Sequence, residues 1–546
     1  MVSIPALIKI EIASFMLKSS LDPACTGLFS SLFLDYIHKE ESVKQFYKEF
    51  PDLEQFKKSL PNKHFEQEKR DRLVKVLEMQ YEGFEGSKVR ANIQQLKQAN
   101  TFTVTTGHQL NLMTGPSYFI YKIVSTIALA EKLQKENPDY HFVPVYWMAT
   151  EDHDFAEINH FYFDGKNYEW ETDQKGAVGE FILDESLKKL IEELHFLPEF
   201  FKTAYSQSKL LKEAVRKYVH HLFADRGLVI IDANEKKLKQ LFVPVIKDDI
   251  LNATANNLVN DCNHALENAG YSTQIFPREI NFFYMEKGRR ERLVLSDGLF
   301  ETHDGKNKWT EDEMMVLIEE QPEKFSPNVV MRPLYQEVIL PNLAYLGGPA
   351  EVAYWFQLKN VFAHYSVDYP FLLPRNFAMI LTFHVQRKMD KLGLNEKELF
   401  LSLDDLRVKY VKENAEQDLD LKEERDKLND IYKALVEKSQ DVNATLTYAV
   451  KAAQKRNEKI LDQVATKFRK AEERKKSTAI QQIAAIKKEL FPQGILQERK
   501  INFLEFYLGN PEFIKDLFDT FDPLNFDFIL LKENGDKRSI KTATQK

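Results

Sequence analysis

"TFTVTTGHQLNLMTGPSYFIYK", residues 101–122, fixes the reading of the fold. The β-branched run at its start predicts a short buried strand, and the apolar spacing of three and four from Ser117 onward predicts an amphipathic helix. Between them lie Gly107, His108 and a Gly115–Pro116 turn. "HFVPVYWMAT", residues 141–150, supplies a second β-rich run, so residues 101–150 spell strand, helix, strand. A helix of that length between two strands is the crossover of a right-handed βαβ unit, which implies a parallel sheet.

Further out, "RGLVIIDAN" (226–234) reads as another buried strand ending in Asp232, and "YPFLLPRNFAMIL" (369–381) as a later one. "QEVILPNLAYLGGPAEVAYWFQL" (336–358) repeats the opening pattern, a glycine-proline turn between a β-rich run and a helix. The fold class expected is therefore α/β, a doubly wound Rossmann-like core over residues 101–400. Aromatic, Asp-Gly-rich segments at about 155–225 and 260–325 read as insertions, and residues 1–100 as a helical region without clear strands. After about residue 400, Leu421, Leu428, Ile431, Leu435 and Val442 form a coiled-coil seam. Ile460, Val464, Phe468, Ala471, Ile483, Ile486 and Leu490 continue it until Pro492. An antiparallel hairpin reversing near Val442 to Thr447 would bury this stripe, as would a second chain. The coiled coil spans 401–495, and residues 496–546 pack back on the core.

The 546 residues, 43% of them hydrophobic, allow a large core and roughly two to four structural units. Lys and Arg number 75 against 83 Asp and Glu, a net charge of −8, so no nucleic-acid partner is expected, and charges of alternating sign along the coiled coil agree. Cys25 and Cys262 alone exclude a disulfide framework and fit a reducing, cytoplasmic setting. "MVSIPALIKIEIASF" has no secretory pattern, and no stretch approaches the roughly 20 apolar residues of a membrane span, so no membrane partner is expected.

In a doubly wound sheet, ligands sit beyond the carboxyl ends of strands, where free N–H groups and helix dipoles favour anions. Gly107–Pro116, Ala149–Asn159 and Gly347–Glu351 occupy such places, although glycine-proline pairs also serve simply to cap and turn a chain. "TEDHDFAEINH" (150–160) gathers Glu151, Asp152, His153, Asp154, Glu157 and His160 at a buried strand end. That is costly without a cation, an ammonium group or a set of donors. A divalent ion would answer the need, but no recognised ligand spacing is present, so no protein-bound metal is expected. Helix capping by Asp152 or Asp154 is the plain alternative. His108 suits a general base or phosphate donor, and Lys122, one turn into the helix, is within reach of a bound phosphate. Arg332 and Arg375 lie beside prolines in expected extended segments, where a planar fork would clamp carboxylate or phosphate.

Together, "GHQLNLMTGPSYFIYK", "EDHDFAEINH", "RPLYQEVILPNLAYLGGPAEVAYW" and the coiled-coil region resemble the cysteine ligase family of bacillithiol synthesis along essentially the full chain. The resemblance implies a core similar to the nucleotide-binding domain of class I aminoacyl-tRNA synthetases, with connective insertions and a coiled coil that forms a homodimer. It also implies the reaction, an amide bond between cysteine and the free amine of glucosaminyl malate. The carboxylate needs activation, and the adenylate route of synthetase-like cores implies ATP with Mg²⁺. On this reading Gly107, His108, Gln109, Thr114, Gly115, Lys122, Gly347 and Gly348 surround the nucleotide. Asp152, His153 and Asp154 take catalytic roles, and Glu151, Glu351, Tyr354, Arg332 and Arg375 hold the substrates. His108 departs from the glutamine of the family pattern. Two other classes stay open. One is a coiled-coil scaffold without catalysis, favoured if residues 107–116 and 151–159 line no common cavity. The other is a metal-assisted hydrolase using the acidic cluster.

Overall fold

The computed structural model describes residues 16–533. The reading of the first fifteen residues as free of a secretory pattern lies outside the described residues, as does the end of the closing segment, 534–546. The chain divides into two compact units. The first takes in residues 28–379 and 497–531, and the second 380–496, which begins before the change of composition near residue 400. Among the described residues no helix is long and apolar enough to cross a membrane.

At the centre of the first unit is a five-stranded, wholly parallel sheet. Its opening βαβ unit is β1 (Thr101–His108), α1 (Tyr118–Glu136) and β2 (His141–Met148). It continues through β3 (Val229–Asp232), α2 (Met331–Ile339), β4 (Asn342–Gly347), α3 (Pro349–Phe356) and β5 (Phe371–Pro374). The spatial order β5-β4-β1-β2-β3 is that of the first five strands of a Rossmann sheet, with the order reversing between β1 and β4. β1 can be central despite its threonines because their hydroxyls are satisfied: Thr103 and Thr105 donate to Asn342 Oδ1 at 3.0 and 2.8 Å, and Thr106 to the Leu346 carbonyl at 2.8 Å. The alternating residues Phe102 and Val104 pack with Leu129, Leu133, Phe142, Leu343, Leu346 and Leu373 in one buried cluster. Each such side chain contributes about 1.5–3 kcal/mol by burial.

The first hundred residues are mainly helical, but Met16–Leu21 is a strand that the sequence reading did not anticipate. Arg70, from the helix Gln67–Gln80, is buried and donates to the carbonyls of Leu96, Ala99 and Thr101, tying this region to the start of β1. Between β2 and β3 lie the short helix Phe155–Ile158, a hairpin, His160–Phe163 with Lys166–Glu169, and three longer helices, ending with Leu211–Phe223. Asp164 and Gly165 turn that hairpin with positive φ of 46° and 75°. Between β3 and α2 an antiparallel sheet is built on Phe282–Glu286 and Arg289–Ser296. Arg332, expected in an extended segment, is the second residue of α2. Pro333 is compatible with helix there because the first turn leaves its N–H groups free in any case.

In the second unit α4 (Lys422–Val442) and α5 (Leu446–Lys475) form an antiparallel hairpin that reverses at 443–445 and is followed by α6 (Ser477–Leu490). Arg425 with Asp462 (2.7 Å), Asn429 with Gln454 (3.1 Å) and Ser439 with Thr447 (3.2 Å) mark the register, and Tyr432 meets Asn457. Of the apolar stripe expected inside this hairpin, Leu421 is buried and Leu428 and Val464 are half-buried, but most of the rest is not enclosed. Polar pairs join the helices, so Ile431, Leu435, Val442, Ile460 and Phe468 face outward, at 57, 43, 70, 53 and 49% exposure. Ile483, Ile486 and Leu490 of α6 are buried.

Candidate active site

The carboxyl ends of β1 and β4 open on a cavity of about 590 Å³, at the place where the strand order reverses. Gly107 forms part of its floor: a Cβ there would stand 3.5 Å from Arg332 Nη1 and 3.7 Å from the Tyr345 hydroxyl. The Gly107 carbonyl accepts from Lys122 Nζ at 2.7 Å, and the same ammonium pairs with Glu351 Oε2 at 2.6 Å. Glu351 also accepts from the Gly348 N–H at 2.6 Å and the Tyr345 hydroxyl at 2.9 Å. Burial alone would push this carboxyl up, but Lys122 and the Gly348 N–H outweigh it and hold it below its ordinary value. Burial in turn pulls Lys122 down. Both groups are thus occupied in joining α1 to α3 along the cavity wall.

The loop between β1 and α1 turns away from this cavity. Met113, Thr114 and Gly115 have φ of 48°, 72° and 63°, and the C-terminal residues 501–502 hold them. Asn502 Nδ2 donates to the Met113 and Gly115 carbonyls at 2.8 and 2.6 Å, while the Ser117 N–H and hydroxyl both donate to the Ile501 carbonyl at 2.8 and 2.6 Å. Thr114 and Gly115 therefore line no part of the cavity, whereas Gly107, His108, Gln109 and Lys122 do. Gly348 reaches the wall but Gly347 lies behind it, against Tyr345 and Glu351. The His108 ring packs against Tyr118 and Phe119, its Nε2 buried without a partner. Burial, then Lys122 and Arg375, hold its pKa well below the ordinary histidine value, so it is neutral.

The acidic side comes from the end of β2. Glu151 pairs with the fully buried Lys239 at 2.9 Å, which also donates to the Phe325 carbonyl at 2.7 Å. Asp152 Oδ2 accepts from Gln109 Nε2 at 2.7 Å, and the same amide donates to Glu157 Oε2 at 2.8 Å. Asp152 Oδ1 accepts from the His153 and Asp154 N–H groups at 2.7 and 3.3 Å. Glu151, Asp152 and Glu157 line the cavity; His153 and Asp154 do not. His153 Nδ1 meets Arg290 Nη1 at 2.7 Å, and burial together with Arg290 lowers its pKa. Among the described residues no group of three or more His, Cys, Asp or Glu is arranged to hold a metal.

Arg332 and Tyr354 complete the far wall. Arg332 Nη1 donates to Gln336 Oε1 at 3.1 Å, and Nη2 is buried with no hydrogen-bond partner. Arg375 reaches the cavity, but Glu498 takes its guanidinium through two bonds of 3.0 and 2.5 Å, both side chains being 1% exposed. It is built into the wall by this pair rather than left open as a clamp. Sequence reasoning missed Lys239, Arg290 and Arg499. Arg290 comes from a hairpin strand of the second insertion, stacked 3.8 Å over the Phe283 ring, and nothing local distinguishes it from a surface arginine.

Fold and cavity together define a Rossmann-like α/β protein with a polar ligand site at its topological switch point. The chain belongs to the bacillithiol biosynthesis BshC family. Residues 16–376 match the family's N-terminal Rossmann-like domain, and residues 378–533 its C-terminal coiled-coil domain. A relative from Flavobacterium psychrophilum, named "Putative cysteine ligase BshC", is 40% identical over 521 residues, 93% of this chain and 98% of the relative. One of the same name from Christiangramia forsetii is 38% identical, covering 93% and 97%. Another from Chlorobaculum tepidum is 29% identical, covering 88% and 92%.

Proposed function

We propose that the protein is a ligase that joins the carboxyl group of cysteine to the amine of glucosaminyl malate. The observation that carries this reading is one cavity with Asp152 and Glu157 bridged by Gln109 on one side and Arg332, with its unpartnered Nη2, on the other. Ammonium groups belong beside the first pair and a carboxylate or phosphate beside the second. The 107–109 and 151–157 segments share this cavity, which favours catalysis over a scaffold.

The residues also fit an anionic nucleotide, because Gly107 leaves the floor open where a Cβ would project toward Arg332. ATP with Mg²⁺, when bound, supplies the activation that turns the cysteine carboxylate oxygen into a leaving group. Asp152, fixed by Gln109 and two backbone N–H groups, takes the proton as the amine nitrogen bonds to the carbonyl carbon. Arg332 and Tyr354 orient the anionic end of a substrate. Glu351 and Lys122, saturated by each other and by the backbone, hold the walls in place. The outward stripe of α4 and α5 is the homodimer surface of the second unit.

The test is mass spectrometry of purified protein with cysteine, glucosaminyl malate and Mg-ATP, beside an ATP-free control. ATP-dependent formation of bacillithiol together with AMP is the expected result. No product with any nucleotide would overturn the ligase reading.

A further inference from the structure

A second chamber of about 340 Å³ opens off the main cavity, sharing Gln109, Tyr118, Glu157 and Arg499 with it. Its outer wall is the short helix Gln497–Lys500, and its inner wall the hairpin strand His160–Phe163. Two cations face it. Arg499 lies 5.6 Å from the Tyr118 ring centroid, and Lys500 lies 5.0 Å from that of Tyr162. The neighbouring carboxylate, Glu498, is committed to Arg375 and the Ala378 N–H. Arg499 and Lys500 are thus left with ring contacts and no carboxylate partner among the described residues. Their backbone is fixed from both sides. Asn502 N–H donates to the Tyr162 carbonyl at 2.9 Å, and Asn502 Nδ2 and the Ile501 carbonyl hold the 113–117 loop.

A polar chamber with two cations outside any ion pair of the described residues, joined to the main cavity at Glu157, which Gln109 bridges to Asp152, has the charge pattern of one ligand class. That class is a molecule with an amine and, on the adjacent part of its frame, a dicarboxylate. We infer that the chamber is the subsite for the dicarboxylate arm of the amine substrate. Arg499 and Lys500 each take one carboxylate, Tyr118 and Tyr162 pack against the carbon frame, and the amine is left at the Gln109–Glu157 junction facing Asp152. The inference rests on the ligase reading, because glucosaminyl malate carries its amine and its malyl group on neighbouring carbons of one sugar.

Full-length protein and the double variant Arg499→Gln/Lys500→Gln are titrated calorimetrically with glucosaminyl malate, with malate alone and with glucosamine, and assayed for product. Lys515→Gln, an exposed lysine paired only with Glu512, serves as the control. The expected result is a loss of affinity for glucosaminyl malate and malate of about 10- to 100-fold in the double variant. Its KM for cysteine stays unchanged, as does its weak binding of glucosamine. Equal binding of glucosaminyl malate by wild type and double variant would overturn the subsite while leaving the ligase reading intact. If wild type neither binds nor converts glucosaminyl malate, the ligase reading fails and malate alone decides the chamber. Malate binding that disappears in the double variant upholds a dicarboxylate subsite, and no malate binding to wild type overturns it.

Discussion

Lys122 Nζ stands 2.6 Å from Glu351 Oε2, linking the helix that follows β1 to the helix that follows β4 across the point where the strand order reverses. Because Glu351 also holds the Gly348 N–H and the Tyr345 hydroxyl, Glu351→Ala strands a buried ammonium and two further donors. The expected cost is about 3–5 kcal/mol in chemical denaturation. Glu351→Gln, which keeps an acceptor oxygen for Gly348 and Lys122 and turns an amide N–H toward the Tyr345 hydroxyl oxygen, is expected to lose clearly less. Equal losses would show that the charge alone matters.

The two glycines of the opening motif separate binding from folding. At Gly107 a Cβ meets nothing nearer than 3.5 Å, and its neighbours are cavity groups. Gly107→Ala is therefore expected to leave the denaturation midpoint nearly unchanged while ligation falls by about tenfold or more. At Gly115, φ is 63° and a Cβ would stand 2.8 Å from Asn111 Cβ, so Gly115→Ala is expected to cost about 1–3 kcal/mol. Denaturation curves and product assays on both variants check the contrast.

Asp152→Asn keeps one acceptor oxygen, enough for the 153–154 N–H groups, and removes both the base and the oxygen that Gln109 uses, Gln109 retaining Glu157. Turnover at saturating substrates is expected to fall by about 10²–10⁴-fold with the fold intact. Asp154→Asn, at an exposed position outside the cavity, is expected to change turnover less than twofold, about the scatter of a surface substitution. A large effect at Asp154 with none at Asp152 would reassign the proton transfer.

Glu337 sits fully buried in α2, hydrogen-bonded by Gln336 and Asn342, with Lys63 and Arg332 as the nearby charges. Burial outweighs those cations and pushes its carboxyl up to about 7 from 4.5. The folded protein therefore keeps this proton where the unfolded chain has lost it. The resulting contribution is fully present below about pH 4.5 and lost as pH rises to about 7, on the order of a few kcal/mol. Glu337→Gln leaves an oxygen for the same two amides. The wild-type-minus-variant difference in denaturation midpoint is thus expected to fall from pH 5 to pH 7 and flatten above. A flat difference throughout would contradict a raised pKa.

Ile431→Lys with Leu435→Lys tests the outward stripe of the hairpin. Neither side chain packs between α4 and α5, so helicity by circular dichroism is expected to persist while light scattering shows monomer in place of dimer. A dimer that survives both substitutions would place the contact elsewhere.

The βαβ unit at 101–148 was legible because its information is local. Four threonines and alternating apolar residues spell the strand, three-four spacing spells the helix, and the glycine-proline turn separates them. Arg332 was misplaced because Pro333 reads as a helix breaker, yet a proline in the first turn of a helix costs nothing. The hairpin reversal was legible from the break in the seam, but which stripe faces inward was not. Tyr432 with Asn457 and Arg425 with Asp462 decide that, and polar pairs leave no periodic apolar signature. In the candidate site, the contributions of Gly107, Gln109 and Asp152 could be read from neighbouring residues. Lys239, Arg290 and Arg499 could not, because each arrives from a distant segment whose own sequence carries no mark of its destination.

The hold that Ile501 and Asn502 exert on the 113–117 loop orders events at the ribosome. β1 emerges early, but the Met113 and Gly115 carbonyls and the Ser117 N–H and hydroxyl of its following turn meet their partners only once residue 502 has been added. At about 5–20 residues per second that interval is roughly 20–80 s. Until then the left-handed backbone at 113–115 lacks the side-chain donor that its carbonyls use, so the β1–α1 connection is among the last parts of the first unit to be fixed.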